Sequence, residues 1–198
     1  SATNFIGTLN TKPFIIRVNN VRSGYIDTIT SNTSFGFRTL DSSTTGTANT
    51  AIGFKSLSGN KTGENNTGLG WGALQFNSSG SFNTASGVYG LYANTTGSQN
   101  TALGQLAMYS NTTGGQNNAV GSDAMRYNTT GSSNVGIGFT SLYFNTTGYS
   151  NIGMGTGALF NTGNRSNLVA IGDSALFNNG IGATLAAHGI ANTAIGSK

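Results

Sequence analysis

The side chains that could act as acids, bases or metal ligands are few in this chain, and they are scattered. Its carboxylates are Asp27, Asp41, Glu64, Asp123 and Asp173. The single histidine, His188, has no cysteine or acidic residue beside it in the sequence, which is typical of an ordinary loop residue. Acid–base catalysis requires two such groups at one substrate, and a metal site requires several ligands at short spacing. The sequence therefore predicts no enzyme, no metal site and no cofactor.

Asparagine and threonine recur at fixed intervals and could support two other functions. The pattern Asn-x-Ser/Thr, a glycan acceptor in secreted eukaryotic proteins, occurs at Asn77, Asn94, Asn111, Asn128 and Asn145. Glycans placed every ~5 Å along one ridge of a stacked repeat would collide, so we interpret these asparagines as turn residues. Threonine pairs follow the last four of them. Regular threonine arrays suit ice binding, which we keep as an alternative function.

Aromatic residues at two neighbouring repeat positions could contact a cell surface. They are Tyr92, Tyr109, Tyr127, Tyr143 and Phe144. Their rings could stack on the sugars of a host surface, so we predict them as candidate receptor contacts. The competing interpretation is that most of them pack between chains or over the core.

A repeat of 17 residues positions all of these side chains. Asparagine opens the copies at Asn32, Asn49, Asn66, Asn83, Asn100, Asn117, Asn134 and Asn151. The consensus is Asn-Thr-Ala-(Ile/Leu/Val)-Gly-x-x-Ala-Leu-x-(Tyr/Phe)-Asn-Thr-Thr-Gly-x-x, numbered below as positions 1 to 17. A unit of this size cannot fold alone and must stack on its neighbours.

Position 9 predicts the core of the stack, because it is Leu or Met in every copy. These residues are Leu40, Leu57, Leu74, Leu91, Met108, Met125, Leu142 and Leu159. Stacking in register would turn them into one continuous apolar ladder. Each copy has few other large side chains, so the core of a single chain is thin. That predicts self-association, in which alternate strand residues are buried against partner chains.

A helical interpretation fails, because glycine at positions 5 and 15 costs about 1 kcal/mol at each helical site. We predict two short strands per unit, at positions 2–6 and 8–11, and a turn at Asn-Thr-Thr-Gly. The predicted fold class is all-β: a parallel β-solenoid, or β-roll, of 17-residue coils. Adjacent coils would lie about 4.8 Å apart, as strands do in a sheet.

The repeat divides the chain into three segments. Residues 1–31 contain two β-prone runs around Asn19-Asn20, which predicts an N-terminal hairpin module. Residues 32–166 hold eight repeats. From residue 167, Asn-Leu-Val-Ala-Ile-Gly carries one apparent extra residue, so we expect irregular C-terminal coils over 167–198 with an inserted loop at 178–191.

The composition excludes several classes of protein. Only 7% of residues are charged, and the nine basic residues behind the net charge of +4 are scattered. Nucleic-acid binders cluster such residues on one face, so no nucleic-acid partner is predicted. No apolar run approaches the ~20 residues that cross a bilayer, so no membrane insertion is predicted. The absence of cysteine excludes disulfides.

The motif Asn-Thr-Ala-Ile-Gly, at 49–53 and 192–196, resembles the head repeats of trimeric autotransporter adhesins. With Ala-Leu and Asn-Thr-Thr-Gly between the motifs, the longer unit is similar to repeats of phage tail fibres. The resemblance implies a homotrimer, intertwined or side by side, in an extracellular location on a virion or a cell surface.

The function implied by the resemblance is that of a structural and adhesive segment of a trimeric fibre. A phage tail fibre or host-attachment protein is the first expectation, and a bacterial surface adhesin head is the second. The expected partners are further copies of the chain and a host cell-surface glycan or protein. From other classes, an ice-binding solenoid and a depolymerase fibre remain alternatives, to be distinguished by thermal hysteresis and by loss of polysaccharide viscosity.

Overall fold

A computed structural model describes residues 10–41, 45–179 and 191–197. The strands are β1 (Phe14–Val18), β2 (Val21–Asp27), β3 (Asn32–Phe35), β4 (Thr50–Ile52), β5 (Thr67–Leu69), β6 (Thr84–Ser86), β7 (Thr101–Leu103), β8 (Asn118–Val120), β9 (Val135–Ile137), β10 (Ile152–Met154), β11 (Val169–Ile171) and β12 (Thr193–Ile195). They form one twelve-stranded sheet in which the strands follow sequence order. Across these ranges there is no helix, and hence none that could span a membrane.

Strands β3 to β12 pair in parallel, one strand per coil. In the first coils Thr33 pairs with Thr50, and Thr50 pairs with Thr67, a step of 17 residues each time. The same step carries through to Val169 in β11. The predicted fold class, an all-β parallel β-solenoid of 17-residue coils, is therefore confirmed.

Each coil has one short strand, at positions 2–4, where the sequence predicted two. Positions 8–11 form turns, because positions 7 and 9 adopt the left-handed backbone conformation, as Lys55 (φ 57°) and Leu57 (φ 50°) show. That conformation costs an L-residue roughly 1–2 kcal/mol and is incompatible with a strand. The prediction of a second strand was wrong because the apolar residues that alternate over positions 8–11 belong to a buried bend.

The bend is hydrogen-bonded to both neighbouring coils although it is not a strand. The N–H of Leu57 donates to the carbonyl of Ala73 (3.0 Å), and the N–H of Lys55 donates to the carbonyl of Phe37 (3.0 Å). Buried backbone groups therefore find partners. Burying a leucine side chain contributes about 1.5–3 kcal/mol, which offsets the cost of the left-handed backbone at position 9.

The core lies between the strand and this bend. The position-9 side chains, from Leu40 to Leu159, are at most 1% exposed. Small side chains pack beside them: position 3 of each strand points inward, as Ala51 and Ala102 do, and position 8 adds residues such as Ala107. Only small residues fit at positions 3 and 8 because the two walls of the coil lie so close together.

Two ladders of buried asparagines stack along the solenoid, at positions 1 and 12. At position 1 the Oδ1 of Asn66 accepts both the N–H (3.0 Å) and the Nδ2 (3.1 Å) of Asn83. At position 12 the Nδ2 of Asn94 donates to the Oδ1 of Asn77 (2.7 Å). Both ladders also donate to the position-15 carbonyl: Gly80 O accepts from Asn66 and from Asn77, each at 2.8 Å.

The two asparagine ladders leave no space for a side chain at position 15, which is why glycine occupies it. A Cβ on Gly80 would lie 2.6 Å from the Oδ1 of Asn77 and would also meet the carbonyl oxygen of Gly97 in the next coil. Any side chain there would break the asparagine ladders, so this glycine is a packing requirement.

The N-terminal hairpin covers the first edge of the solenoid sheet. Asn19 (φ 48°) and Asn20 (φ 58°) form the two-residue turn between β1 and β2, the conformation that hairpin turns of this length favour. Strand β2 then pairs antiparallel with β3, with Tyr25 opposite Ser34. An uncovered β3 would be free to pair with other chains. The hairpin occupies that edge, and β1 becomes the outermost strand of the sheet.

At the C-terminal end, the register differs from the prediction. Ile152 pairs with Val169, a step of 17, so no extra residue precedes β11 and the predicted slip at 167 is wrong. Leu168 occupies position 1, and its N–H donates to the Oδ1 of Asn151 (3.0 Å). Pairing of Val169 with Thr193 is a step of 24, so seven additional residues (24 − 17) fall within that coil. Residues 180–190 of the predicted loop, His188 included, lie outside the described residues.

The asparagine ladder at position 12 can be tested with Asn94→Ala. Its side chain makes hydrogen bonds to Asn77, to Gly97 and to Asn111, and a buried group left without a partner costs about 1–3 kcal/mol. We expect the free energy of unfolding in denaturant to fall by at least about 2 kcal/mol. The exposed Thr96→Ala should change it by no more than about 0.5 kcal/mol. Equal losses would contradict a structural role for the ladder.

The close approach at position 5 can be tested with Gly121→Ala. Gly121 has φ +133°, and a Cβ there would lie 2.6 Å from the carbonyl oxygen of Gly138. Gly163 has φ +63° and no atom within 4 Å of the added carbon. We expect Gly163→Ala to cost about 1–2 kcal/mol from the backbone alone and Gly121→Ala to cost clearly more, measured by thermal unfolding. A smaller effect at Gly121 would overturn the packing assignment.

Candidate functional surfaces

Three of the five carboxylates, Asp27, Asp123 and Asp173, serve local structure. Asp123 is paired with Arg126 at 2.7 Å. Asp27 accepts hydrogen bonds from Tyr25 Oη (2.7 Å), the Ile29 N–H (2.9 Å) and Thr30 Oγ1 (2.7 Å). The backbone bond from Ile29 is the main reason that the pKa of Asp27 lies below its ordinary value. Asp173 accepts the N–H of Thr156 (2.8 Å). Within the described residues, no three His, Cys, Asp or Glu side chains converge as metal ligands would.

The sequon asparagines are inaccessible in the folded chain. Asn77, Asn94, Asn111, Asn128 and Asn145 are all 0% exposed. Each Nδ2, the atom that would carry a glycan, donates hydrogen bonds to the preceding coil and to position 15, as Asn111 does to Asn94 (2.8 Å) and to Gly114 (3.0 Å). The geometry leaves no room for glycans on these side chains.

The five predicted receptor contacts fall into rows of rings along the solenoid. Tyr92 stacks on Tyr109, with centroids 5.1 Å apart and planes 3° from parallel. Tyr127 stacks on Phe144 at 5.2 Å and 9°. Tyr143 begins a further row at position 10, continued by Phe160 (4.9 Å, 2°) and Phe177. The structure thus brings the predicted residues together as parallel stacks of neighbouring coils.

This stacking changes what these rings can do chemically. Because the faces of Tyr92 and Tyr109 cover each other, and likewise those of Tyr127 and Phe144, solvent meets mainly ring edges and phenol hydroxyls. Phe144 is 40% exposed and Tyr127 37%. A sugar could lie on a free ring face only at the end of a row. The rows are therefore suited to edge and hydroxyl contacts along most of their length.

Arg126 occupies position 10 between the Tyr92–Tyr109 row and the row that Tyr143 begins. Its guanidinium lies 5.6 Å from the Tyr127 ring centroid and 6.0 Å from that of Tyr109. Its charge is paired with Asp123 at 2.7 Å. This arginine acts as a packing residue whose charge is already neutralised.

The threonines form three rows. One lies at position 2 on the outer face of the sheet and consists of Thr33, Thr50, Thr67, Thr84 and Thr101. The other two lie at positions 13 and 14 of the turn. At position 13 each hydroxyl donates to the backbone of the next coil, as Thr95 Oγ1 does to the Thr112 carbonyl (3.0 Å). At position 14, Thr96, Thr113 and Thr130 are exposed. The hydroxyl groups open to water therefore lie in the position-14 row at the turn and in the position-2 row on the sheet.

A row of exposed apolar side chains lies on the outer face of the sheet. Because side chains alternate along a strand, position 4 points away from the core. We call these residues the apolar stripe: Phe35, Ile52, Leu69, Leu103, Val120, Ile137, Met154 and Ile171. Exposure along it reaches 61% at Phe35 and is still 37% at Val120. From β9 onward the stripe is wider, because Val135, Ile152 and Val169 place apolar side chains at position 2 as well.

Sequence reasoning recognised that position 4 is apolar but did not assign it to a face. The available indication was the small residue at position 3, since only one of two adjacent strand residues can face a thin core.

Comparison of the chain with protein-family models, with curated proteins and with solved structures found no match.

The tyrosine rows should make stability depend on alkaline pH. Burial, and secondarily the neighbouring Tyr109 and Tyr89, raise the pKa of Tyr92 above 10.0, and burial followed by contact with Tyr127 raises that of Tyr143. The unfolded chain therefore loses these protons first. The contribution to stability is complete below pH 10 and is lost as the pH rises through the folded values.

We expect the thermal midpoint to fall between pH 9.5 and 11, and to fall less in the Tyr92→Phe/Tyr143→Phe variant. Tyr149→Phe, at an exposed ring outside these rows, is the matched control. The same pH profile for the double variant and the native chain would contradict the assignment.

Proposed function

We propose that this chain is a structural and adhesive segment of a trimeric extracellular fibre, of the kind found in phage tail fibres and host-attachment proteins. The observation that carries the proposal is the apolar stripe. Apart from Ser86 in β6, every coil from β3 to β11 has an apolar residue in this stripe, and soluble monomers rarely expose an apolar surface of such extent. A stripe that runs from Phe35 to Ile171 along one face of the solenoid is what an interface between long, parallel chains requires.

The periodicity of the stripe favours further copies of the same chain as its partners. Its side chains recur once per coil, at the spacing of strands in a sheet, about 4.8 Å. Another copy presents the same spacing, so its side chains can interdigitate along the whole length. A homo-oligomer with closed symmetry buries such a surface completely. The number three follows from the resemblance to trimeric fibre repeats.

The hydrogen-bonding pattern supports a mechanical role. Neighbouring coils are joined by the strand and by the bend, and from the coil of Asn49 to that of Asn134 they are joined by two asparagine ladders as well. In solenoids, stability is built from such nearest-neighbour interfaces. A segment of this kind holds attached parts at a fixed distance and presents a regular lateral surface.

A bacterial surface adhesin head is the alternative that uses the same architecture. It shares the stripe, the trimer and the extracellular setting, and differs in the structure to which the fibre is attached. Ice binding is less well supported, because the position-13 hydroxyls are hydrogen-bonded within the solenoid. The threonine row at position 2 also stops at Thr101, since Asn118, Val135 and Ile152 take that position in the following coils.

The proposal is tested by the molar mass in solution, measured by light scattering after size exclusion. We expect three chain masses for the native protein. Replacing Ile137 in the middle of the stripe by aspartate should shift the population to single chains, since a buried, unpaired charge is costly. Thr130→Asp, which adds the same charge at an exposed turn, should leave the trimer intact. A native chain that is monomeric at micromolar concentration would overturn the proposal.

A further inference from the structure

A polar depression near the N-terminal end of the solenoid differs from the rest of its surface. It has a volume of about 210 Å³, and its lining residues are Arg38, Asp41, Lys55, Ser58 and Gln75. These residues occupy only two repeat positions, 7 and 10, on three successive coils. We call it the N-terminal basin.

The basin is open because its position-10 residues leave the groove between positions 7 and 10 unfilled. In the fourth coil, Tyr92 fills that groove and contacts Tyr89 with ring centroids 5.0 Å apart. In the sixth coil, Arg126 and Asp123 close it with an ion pair. Ser58 is too small to fill the groove in this way. The groove is therefore open on the first three coils, whereas side chains fill it in the fourth and sixth coils.

Two basic side chains stand on adjacent coils at the edge of the basin. Arg38 and Lys55 both adopt left-handed backbone conformations (φ 58° and 57°) at the position where the next coil has Gly72. A glycine would adopt this conformation without strain. The backbone therefore gives no reason for a side chain at these two positions. In the described part of the chain neither cation lies within 4.0 Å of a carboxylate, whereas Arg126 is paired.

Aromatic rings hold both cations beside the groove. The Arg38 guanidinium lies 5.7 Å from the Phe37 ring centroid, and the Lys55 ammonium lies 5.4 Å from that of Phe54. Trp71 continues this row on the third coil, 5.7 Å from Phe54, and is 51% exposed. Cation–π contacts of this kind are worth about 0.5–1 kcal/mol at exposed sites, enough to bias the long side chains toward one orientation.

We propose that the N-terminal basin binds an acidic sugar, a saccharide unit that carries a carboxylate. Charge-assisted hydrogen bonds from Arg38 and Lys55 would bind the carboxylate. Asp41 and the amide of Gln75 would bind ring hydroxyls. The volume is below the roughly 300–1,000 Å³ typical of small-molecule pockets, which suits a single sugar unit. This inference rests on the proposed attachment function and names a ligand class for it.

Asp41 makes the basin selective for a sugar acid over a simple anion. Its carboxylate contributes a negative charge to the basin, which disfavours a compact anion such as phosphate. A sugar can place its carboxylate at the two cations and a hydroxyl group at Asp41. The site therefore selects a ligand with both groups.

The test is titration of the native chain with glucuronate, glucose and inorganic phosphate. Trp71, the only tryptophan, reports binding by fluorescence, and ligand-observed NMR gives the affinity. We expect saturable binding of glucuronate and at least tenfold weaker binding of glucose and phosphate. Arg38→Gln/Lys55→Gln should weaken glucuronate binding at least tenfold. Ser58→Tyr, which introduces the residue type found at Tyr92, should abolish binding without changing the charge.

Arg165→Gln removes one positive charge from the eighth coil, five coils beyond the basin, and is the matched control that should bind as the native chain does. Equal affinity for glucuronate and phosphate, unchanged binding in Ser58→Tyr, or an equal loss in Arg165→Gln would each overturn the inference. Light scattering on the same samples distinguishes a failure of the binding inference from a failure of the fibre proposal. A trimer that does not bind glucuronate rejects the basin alone, and a monomer that binds it rejects the trimer alone.

Discussion

The carbonyl oxygen at position 15 is the point on which the solenoid depends. It accepts hydrogen bonds from two buried asparagines of its own coil, as Gly80 does from Asn66 and Asn77. Each asparagine also bonds to its counterpart in a neighbouring coil. Unpaired buried amides would cost several kcal/mol per coil, so any change in coil length between them is resisted. This constraint maintains the 17-residue step through the described coils from β3 to β11.

That fixed register determines what the surface can present. Every side chain is repeated once per coil, so rows of one residue type form without any dedicated loop. The apolar stripe, the stacked tyrosines and the position-14 threonines are three such rows on different faces. A local function then requires a departure from the repeat, and the N-terminal basin arises where Ser58 stands at the position that Tyr92 occupies in the fourth coil.

The predictions from the sequence were correct where they depended only on the 17-residue period. The interval between asparagines indicated a parallel stack, and the glycines excluded helices. Predictions failed where neighbouring coils override local preference. Leu57 reads as a strand residue, yet it lies in a bend with φ 50° because the coil must reverse direction around it. The C-terminal register was misjudged because Leu168 takes a site that asparagine occupies in the earlier coils.

The sequence by itself determined the length of the coil, the identity of its stacked residues and the scarcity of groups able to perform acid–base or metal chemistry. These are properties of spacing and composition, which need no coordinates. Tertiary structure alone decided which side of each short strand faces outward, that the aromatic rings cover one another's faces, and that the sequon asparagines are buried. Each of these depends on contacts between residues 17 apart, and the direction of a side chain across such a contact is set by the stacked backbone.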